Sequence, residues 1–508
     1  MAMPRPGRRV RAVSRRASTL WLGVSCVIVV ARSASADPGL QITPSIGLNE
    51  AYTDNQFAAQ KSSPDLVTQF SPSISINGET ARTAINFVYQ PVFNHFDLGE
   101  SSDRIDQNLN AVGDVIPLTD ELRVDFTATA SEAGSNGNST NQLGVIIPAA
   151  NRILYYIGTV TPHLTERYRD KATLDLTYSI NSTNTSAQAP PSALNLGVAS
   201  SDSLAQKVDL AIGSAESFGR LGAKLDFSHS DTSGSGPTNT STIDSDVLRL
   251  DYHISRAFTF NGSVGYQDTD YPARNGTAPY HNAGLTWNVG LGYTPNTLSS
   301  IQLGYGEQQG SYNPSLQMSY ALGPRTNILA SYLVTVQNQL SSVAQNTQFL
   351  TFDQFGNPID SRTGLPFNAV DQTFSSQNVL FRDKPALLSI SHQFLRSSMV
   401  LSAQYEVRTS LSGPAARSEV FGVTVSYAEE FTPLLQGNVS LGYINVTSTG
   451  SGSLTTHNES ISVTAALFYQ LSDSVTFNVV ENYFTNTSNL AANGSTTQQL
   501  TVGVRKSF

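Results

Sequence analysis

From one end of the chain to the other, apolar and polar side chains alternate with a period of two. Leu285, Trp287, Val289, Leu291 and Tyr293 interleave with Thr286, Asn288, Gly290 and Gly292. Phe258, Phe260, Val264 and Tyr266 interleave with Thr259, Asn261, Ser263 and Gln267. Leu174, Leu176, Tyr178 and Ile180 do the same with Thr173, Asp175, Thr177 and Ser179. Successive side chains of a β-strand point to opposite faces, so this is the pattern of strands with one apolar face. A soluble β-sandwich packs that face into a core and shows the polar face to water. An outer-membrane barrel turns the apolar face to lipid and lines its lumen with the polar one.

The connections choose between the two. The rhythm parses into 22 strands (range 20–22), starting with 40–52, 66–77, 82–96 and 107–117 and ending with 458–470, 475–486 and 497–508. Short connections at Leu118–Asp120, Ser255–Arg256, Pro295–Thr297 and Ser472–Ser474 alternate with long polar ones at 132–150, 182–201, 230–243 and 339–384. Short turns on one side and long loops on the other mark an outer-membrane barrel. The expected fold is therefore an all-β, transmembrane, antiparallel up-and-down β-barrel with short periplasmic turns and long extracellular loops. Tyr52, Tyr266, Tyr293, Tyr427, Tyr443 and Tyr469 fall near strand ends, where an interfacial aromatic girdle belongs. Composition agrees. Only 14% of residues are charged, against about 25% in soluble domains. The 20 Tyr and 23 Phe argue against disorder. No run of 18 apolar residues is present for a membrane-spanning helix.

The N-terminus reads as an export signal over residues 1–36. Arg5, Arg8, Arg9, Arg11, Arg15 and Arg16 form a basic region, Leu20–Ala31 a mostly apolar one, and Ala34-Ser35-Ala36 a small-x-small cleavage site. Residues 37–508 are then one barrel domain in the bacterial outer membrane, with too few residues before the first strand for an N-terminal plug. Cys26, the sole cysteine, leaves with the signal, which excludes disulfides and thiolate chemistry from the mature chain. Seven arginines leave too, so 23 basic residues face 39 acidic ones, a net charge of −16. That balance excludes nucleic acid as a partner. Outer-membrane lipid and the barrel assembly machinery are the expected partners.

Leu500, Val502, Val504 and Phe508 share one face of a last strand that ends in Phe. Terminal-Phe strands resemble the assembly signal of outer-membrane proteins, although Lys506 stands where that pattern prefers an apolar residue. Pro44-Ser45-Ile46, Glu50-Ala51-Tyr52-Thr53-Asp54-Asn55 and Phe70-Ser71-Pro72-Ser73-Ile74-Ser75 resemble the start of a β-barrel porin family of exopolysaccharide- and exosortase-associated outer-membrane proteins. The likeness covers Leu40 to Tyr89. It implies a channel, with polysaccharide or export-system proteins as partners, and transfers no catalytic residue.

No motif for catalysis, cofactor or metal emerges, so the chain reads as a non-enzyme. His95, His163, His229, His253, His281, His392 and His457 lack metal-site spacing. Asp268-Thr269-Asp270 and Asp353–Asp360 lack the ligand series of a calcium loop. Alternation turns Arg123, Asp125, Asp175, Lys224, Asp226, Arg249, Asp251, Glu406 and Arg408 toward the lumen. They either pair across strands or set an electrostatic path for solutes. In the 339–384 connection Phe349, Phe352, Phe355, Phe367, Phe374 and Phe381 are expected to cluster and narrow the mouth, since each buried Phe gains about 1.5–3 kcal/mol. The expected function is passive passage of hydrophilic solutes. A structural or assembly role in an export system, without free conductance, is the alternative.

Overall fold

The computed structural model describes residues 39–508 except 57–61, 99–102, 119–120, 135–145, 147–151, 170, 188–200, 215–218, 236–239, 273–278, 309, 353–357, 364–366, 368–379, 412–415, 451–454 and 490–493. The expected export signal lies outside the described residues.

One antiparallel sheet contains nearly all of the regular structure, and it closes on itself. In chain order the first strands are Leu40–Thr53, Asp65–Glu79, Thr83–Tyr89 continued by Val92–Phe96, and Arg104–Asp106 continued by Leu109–Leu118. Leu122–Gly134, Arg152–Tyr168, Ala172–Ala187, Ser201–Ser214, Leu221–Gly234, Ser241–His253 and Phe258–Tyr271 follow. Next come Tyr280–Asn296, Ser299–Gln308, Ser311–Gly323, and Thr326–Tyr332 continued by Thr335–Gln337. Phe381–Gln393, Ser397–Ser410, Arg417–Thr432, Leu435–Thr449, Thr455–Ser472, Val475–Ser488 and Ser495–Ser507 complete the wall. Counting each interrupted strand once gives 22, the number that the alternation predicts.

The first strand pairs with the last, Ser45 opposite Ser507 through Thr53 opposite Gln499, and this seam leaves no free edge. At the turn side Phe508 extends it, its N–H donating to the Pro44 carbonyl at 2.9 Å. At the loop side the Asp54 N–H donates to the Gln498 carbonyl, and the Gln498 N–H donates to Asp54 Oδ1. Asn55 Nδ2 donates to the Thr496 carbonyl. The Tyr-Thr-Asp-Asn step singled out in the sequence is therefore a clip on the barrel seam.

Large apolar side chains stand exposed around the outside. Ile42, Ile46, Leu48 and Tyr52 do so on the first strand, Leu285, Val289 and Leu291 further round, and Leu500 and Val502 on the last. In water that surface would be untenable, whereas a hydrocarbon layer covers it. This is an outer-membrane β-barrel. Among the described residues no helix is long and apolar enough to cross a membrane. Aromatic residues collect at both margins of the outer wall. Phe258 lies 4.7 Å from Tyr293 toward the turns, and Trp287 neighbours Tyr305 and Tyr312 toward the loops. Lys506 places its ammonium 5.2 Å from the centre of the Phe508 ring, which accommodates a cation near the terminal Phe.

The strands run longer on the loop side than the rhythm alone indicates. Phe381–Gln393 begins four residues before the expected 385, so Phe381 belongs to the wall and not to the long connection. One loop-side connection is tight: Gln308 pairs with Ser311, and Gly310 adopts φ +68° to make the turn.

The two faces should respond differently to charge. Val264→Arg, on the lipid side, is expected to cost about 2–4 kcal/mol of unfolding free energy in vesicles. Ser440→Arg, on the lumen side where only Ser426 and Thr464 stand opposite it, should stay within about 0.5 kcal/mol.

Candidate functional site

Which face is inner follows from burial. Tyr156 is 43% exposed on the outer wall, while its neighbour Tyr155 is fully buried. In a one-layered sheet such burial is reached where the chain's own loops fold against the concave side. Tyr155 and Ile157 form a cluster with Val343, Leu350 and Phe367, all from the connection between Gln337 and Phe381. That connection therefore folds into the barrel and packs on its inner wall.

Its local structure follows from a few side chains. Asn338 caps the α-helix Gln339–Thr347, its Oδ1 accepting from the Ser341 N–H at 2.8 Å while Ser341 Oγ accepts from the Asn338 N–H. Leu340 and Val343, three residues apart, share the buried face of the helix. A short hairpin, Leu350–Phe352 with Pro358–Asp360, follows. The Phe367 N–H donates to the Pro358 carbonyl, which sets the fully buried Phe367 ring in place. Arg362 binds Asp360 at 2.6 Å and lies 3.9 Å from the centre of the Phe349 ring. Of the six Phe expected to cluster, Phe367 is the anchor, and Phe349 and Phe352 are half-buried. Phe355 and Phe374 lie outside the described residues. Phe381 starts a strand, with the Arg408 guanidinium 4.8 Å from its ring.

Two of the nine residues expected to face the lumen are covered by the chain itself. Glu406 and Arg408 are on the inner face, but they lie under the root of this loop, the Arg408 side chain only 8% exposed. Arg408 pairs with Glu406 and sits 3.9 Å from Asp383, which also accepts from Gln337 Nε2 at 3.0 Å. Alternation fixes a residue's face and not its height, so the pattern could not separate these two from the open wall. Ile146, the one described residue between 135 and 151, also reaches the inner wall. Gln499 holds Ile146 as a strand would, accepting from its N–H at 3.0 Å and donating to its carbonyl at 2.9 Å. Ile146 packs on Ala51, Val67 and Phe96.

Toward the turns the inner wall carries charge. Arg123 pairs with Asp125 at 2.7 Å and Asp114 at 3.6 Å, and His163 Nε2 is 2.9 Å from Asp125. Lys207 pairs with Asp209 at 2.9 Å. Asp226 shares its two oxygens between Lys224 at 3.3 Å and Arg249 at 2.6 Å. Asp175 lines the same recess, and Asp251 occupies the same face as Arg249 two residues on. Asp114, His163, Lys207 and Asp209 were not singled out in the sequence, though alternation gives all four the inner parity. His95, His229, His281 and His457 instead sit beside carboxylates toward the loop ends of their strands. The loop residue Asp103 is held below its ordinary pKa chiefly by the hydrogen bond with His95. Asp268 and Asp270 lie on a strand facing His281. Residues 353–357 of the other calcium-like stretch lie outside the described residues. Among the described residues no three His, Cys, Asp or Glu are grouped to hold a metal.

The buried Arg408 cluster should govern how firmly the loop is seated. Arg408→Met leaves Asp383 and Glu406 without their cation, a loss of about 3–5 kcal/mol when a buried pair is broken. Trypsin cleavage at Arg362 in intact membranes should accelerate, while the folded barrel still migrates differently on a detergent gel before and after boiling.

No family model matches the chain, and no curated protein matches its sequence. Solved structures do match its fold. The apoprotein form of the FrpB iron transporter of Neisseria meningitidis superposes with TM-score 0.50 at 10% identity, covering 92% of this chain and 82% of that one. The siderophore receptor PirA of Acinetobacter baumannii gives 0.45 at 9% identity, over 92% and 80% of the two chains. The ferric-catecholate import receptor Fiu of E. coli K12 gives 0.45 at 9%, over 91% and 81%. The FrpB protein is an iron transporter, not a passive porin. The expectation of passive passage is corrected accordingly: the chain shares its barrel fold with that transporter.

Proposed function

We propose that this barrel is a gated outer-membrane transporter for a hydrophilic solute. The observation that carries the reading is the packing of the 338–380 connection on the inner wall through Val343, Leu350 and Phe367. Solute entering from the loop side meets this insertion first, then the charged wall beyond it. Transporters of this strand number characteristically have a plugged lumen, and likeness to the FrpB iron transporter supports the same class of task. Opening requires the loop to leave Tyr155 and Ile157, so transport is coupled to a movement of the chain.

Purified protein in planar bilayers should show little steady conductance. Replacing residues 340–378 with a short glycine–serine turn should raise it to that of a wide pore. Phe367→Ala, which leaves the loop present but unanchored, should produce intermittent openings. Steady conductance of the unaltered protein, equal to that of the loop-replaced form, would refute gating.

Insertion into the membrane is assigned to the terminal strand, read by the barrel assembly machinery. Deleting Phe508 removes the last backbone bond to Pro44 and is expected to lower the membrane yield several-fold. Deleting Phe352 from the loop should leave the yield unchanged.

A further inference from the structure

The inner wall toward the turns contains a register that cross-strand stability alone does not favour. Lys224 and Arg249 stand directly opposite each other on neighbouring strands. Directly opposed like charges are destabilising, and a wall built for strength would oppose unlike ones. Most of the remaining inner face does without charge and uses Ser, Thr, Asn, Gln and Gly. The pair is held by Asp226, which reaches both cations from one side. Exposure shows which groups are presented to the lumen. The Lys224 and Arg249 side chains are 47% and 58% exposed, whereas Asp226 is 21%. Arg249 uses Nε for Asp226, and its two terminal nitrogens are the natural donors for a second acceptor. Lys207 borders the same recess of 470 Å³.

We infer that Lys224 and Arg249, with Lys207 beside them, form a seat for an oxyanion, so that the transported solute carries carboxylate or phosphate groups. This rests on the transporter reading above and names the chemistry of its cargo. A bound oxyanion would take the water-facing side of both cations while Asp226 keeps the other side. Its charge would relieve the repulsion between them, and bidentate contact with the guanidinium would orient it. The seat acts at contact range. Asp175 and Asp209 line the same recess and, with Asp226, balance its three cations, Asp209 lying 2.9 Å from Lys207, so long-range attraction of anions is weak.

Calorimetric titration of the detergent-solubilised full chain tests this without reference to conductance. Inorganic pyrophosphate and citrate serve as separate probes for the two oxyanion types, and the tighter one identifies the group preferred. At least one should bind, more weakly as salt rises. Lys224→Gln with Arg249→Gln should weaken it by about tenfold or more, the loss of two charge-assisted contacts. Asp226→Asn should preserve or tighten binding, because it removes the competing carboxylate. Failure of both probes to bind would overturn the seat and leave gating untouched. Equal loss of binding in Asp226→Asn and in the double variant would also overturn it, since the three residues would then be only a structural network.

Discussion

A backbone in hydrocarbon has no water to bond with, and every N–H and C=O must find its partner within the protein. This single requirement dictates the closure of the sheet. The ladder between Ser45–Thr53 and Gln499–Ser507 carries the whole architecture, because without it two strand edges would face lipid. The added bonds at its ends are understandable in that light. Asp54 and Asn55 extend the pairing past the last ladder residue on the loop side, and Phe508 does so on the turn side. Residues that look like a family motif in one dimension are, in three, the fasteners of the most exacting junction in the fold.

Closure also divides the side chains into two populations with opposite rules. Outside, size and apolarity suffice, and neighbours along a strand interchange freely. Inside, nothing compels a particular residue, so hydroxyls, amides and glycines serve wherever they fit. Charges cost more to place there and need partners, which is why Arg123, Lys207, Lys224 and Arg249 each have a carboxylate within 4 Å. Their concentration on neighbouring strands between Leu109 and His253 gives the lumen a charged side and a largely neutral one.

The wall was legible in the sequence because its rule is periodic. All 22 strands follow from alternation, and their ends differ by a few residues, as at Phe381. Arg408 and Glu406 show where periodicity stops. Their parity gives the inner face correctly, but whether a loop lies over them depends on contacts between segments hundreds of residues apart in other cases, such as Ile146 with Gln499. The fold of the 338–380 insertion has no period at all. It rests on a cap at Asn338, a hairpin and one anchored ring, Phe367. The surplus of Phe was visible beforehand, as a reason for the loop to bury itself somewhere.

Where it buries itself was written in a local failure of the alternation. Leu154-Tyr155-Tyr156-Ile157 is apolar on both faces, at the loop end of a strand whose turn half alternates. An apolar inner face has no purpose in an aqueous lumen, so such a break marks a place where something apolar must land. Ala51, Val67 and Phe96 break the same rule near the loop ends of the first three strands, and there Ile146 lands. The two landing sites are on the wall, and the two inserted segments come from separate connections. The polar rule that makes a barrel water-filled is thus suspended where the chain supplies its own occupant. It is kept toward the turns, where the inner face stays polar and charged.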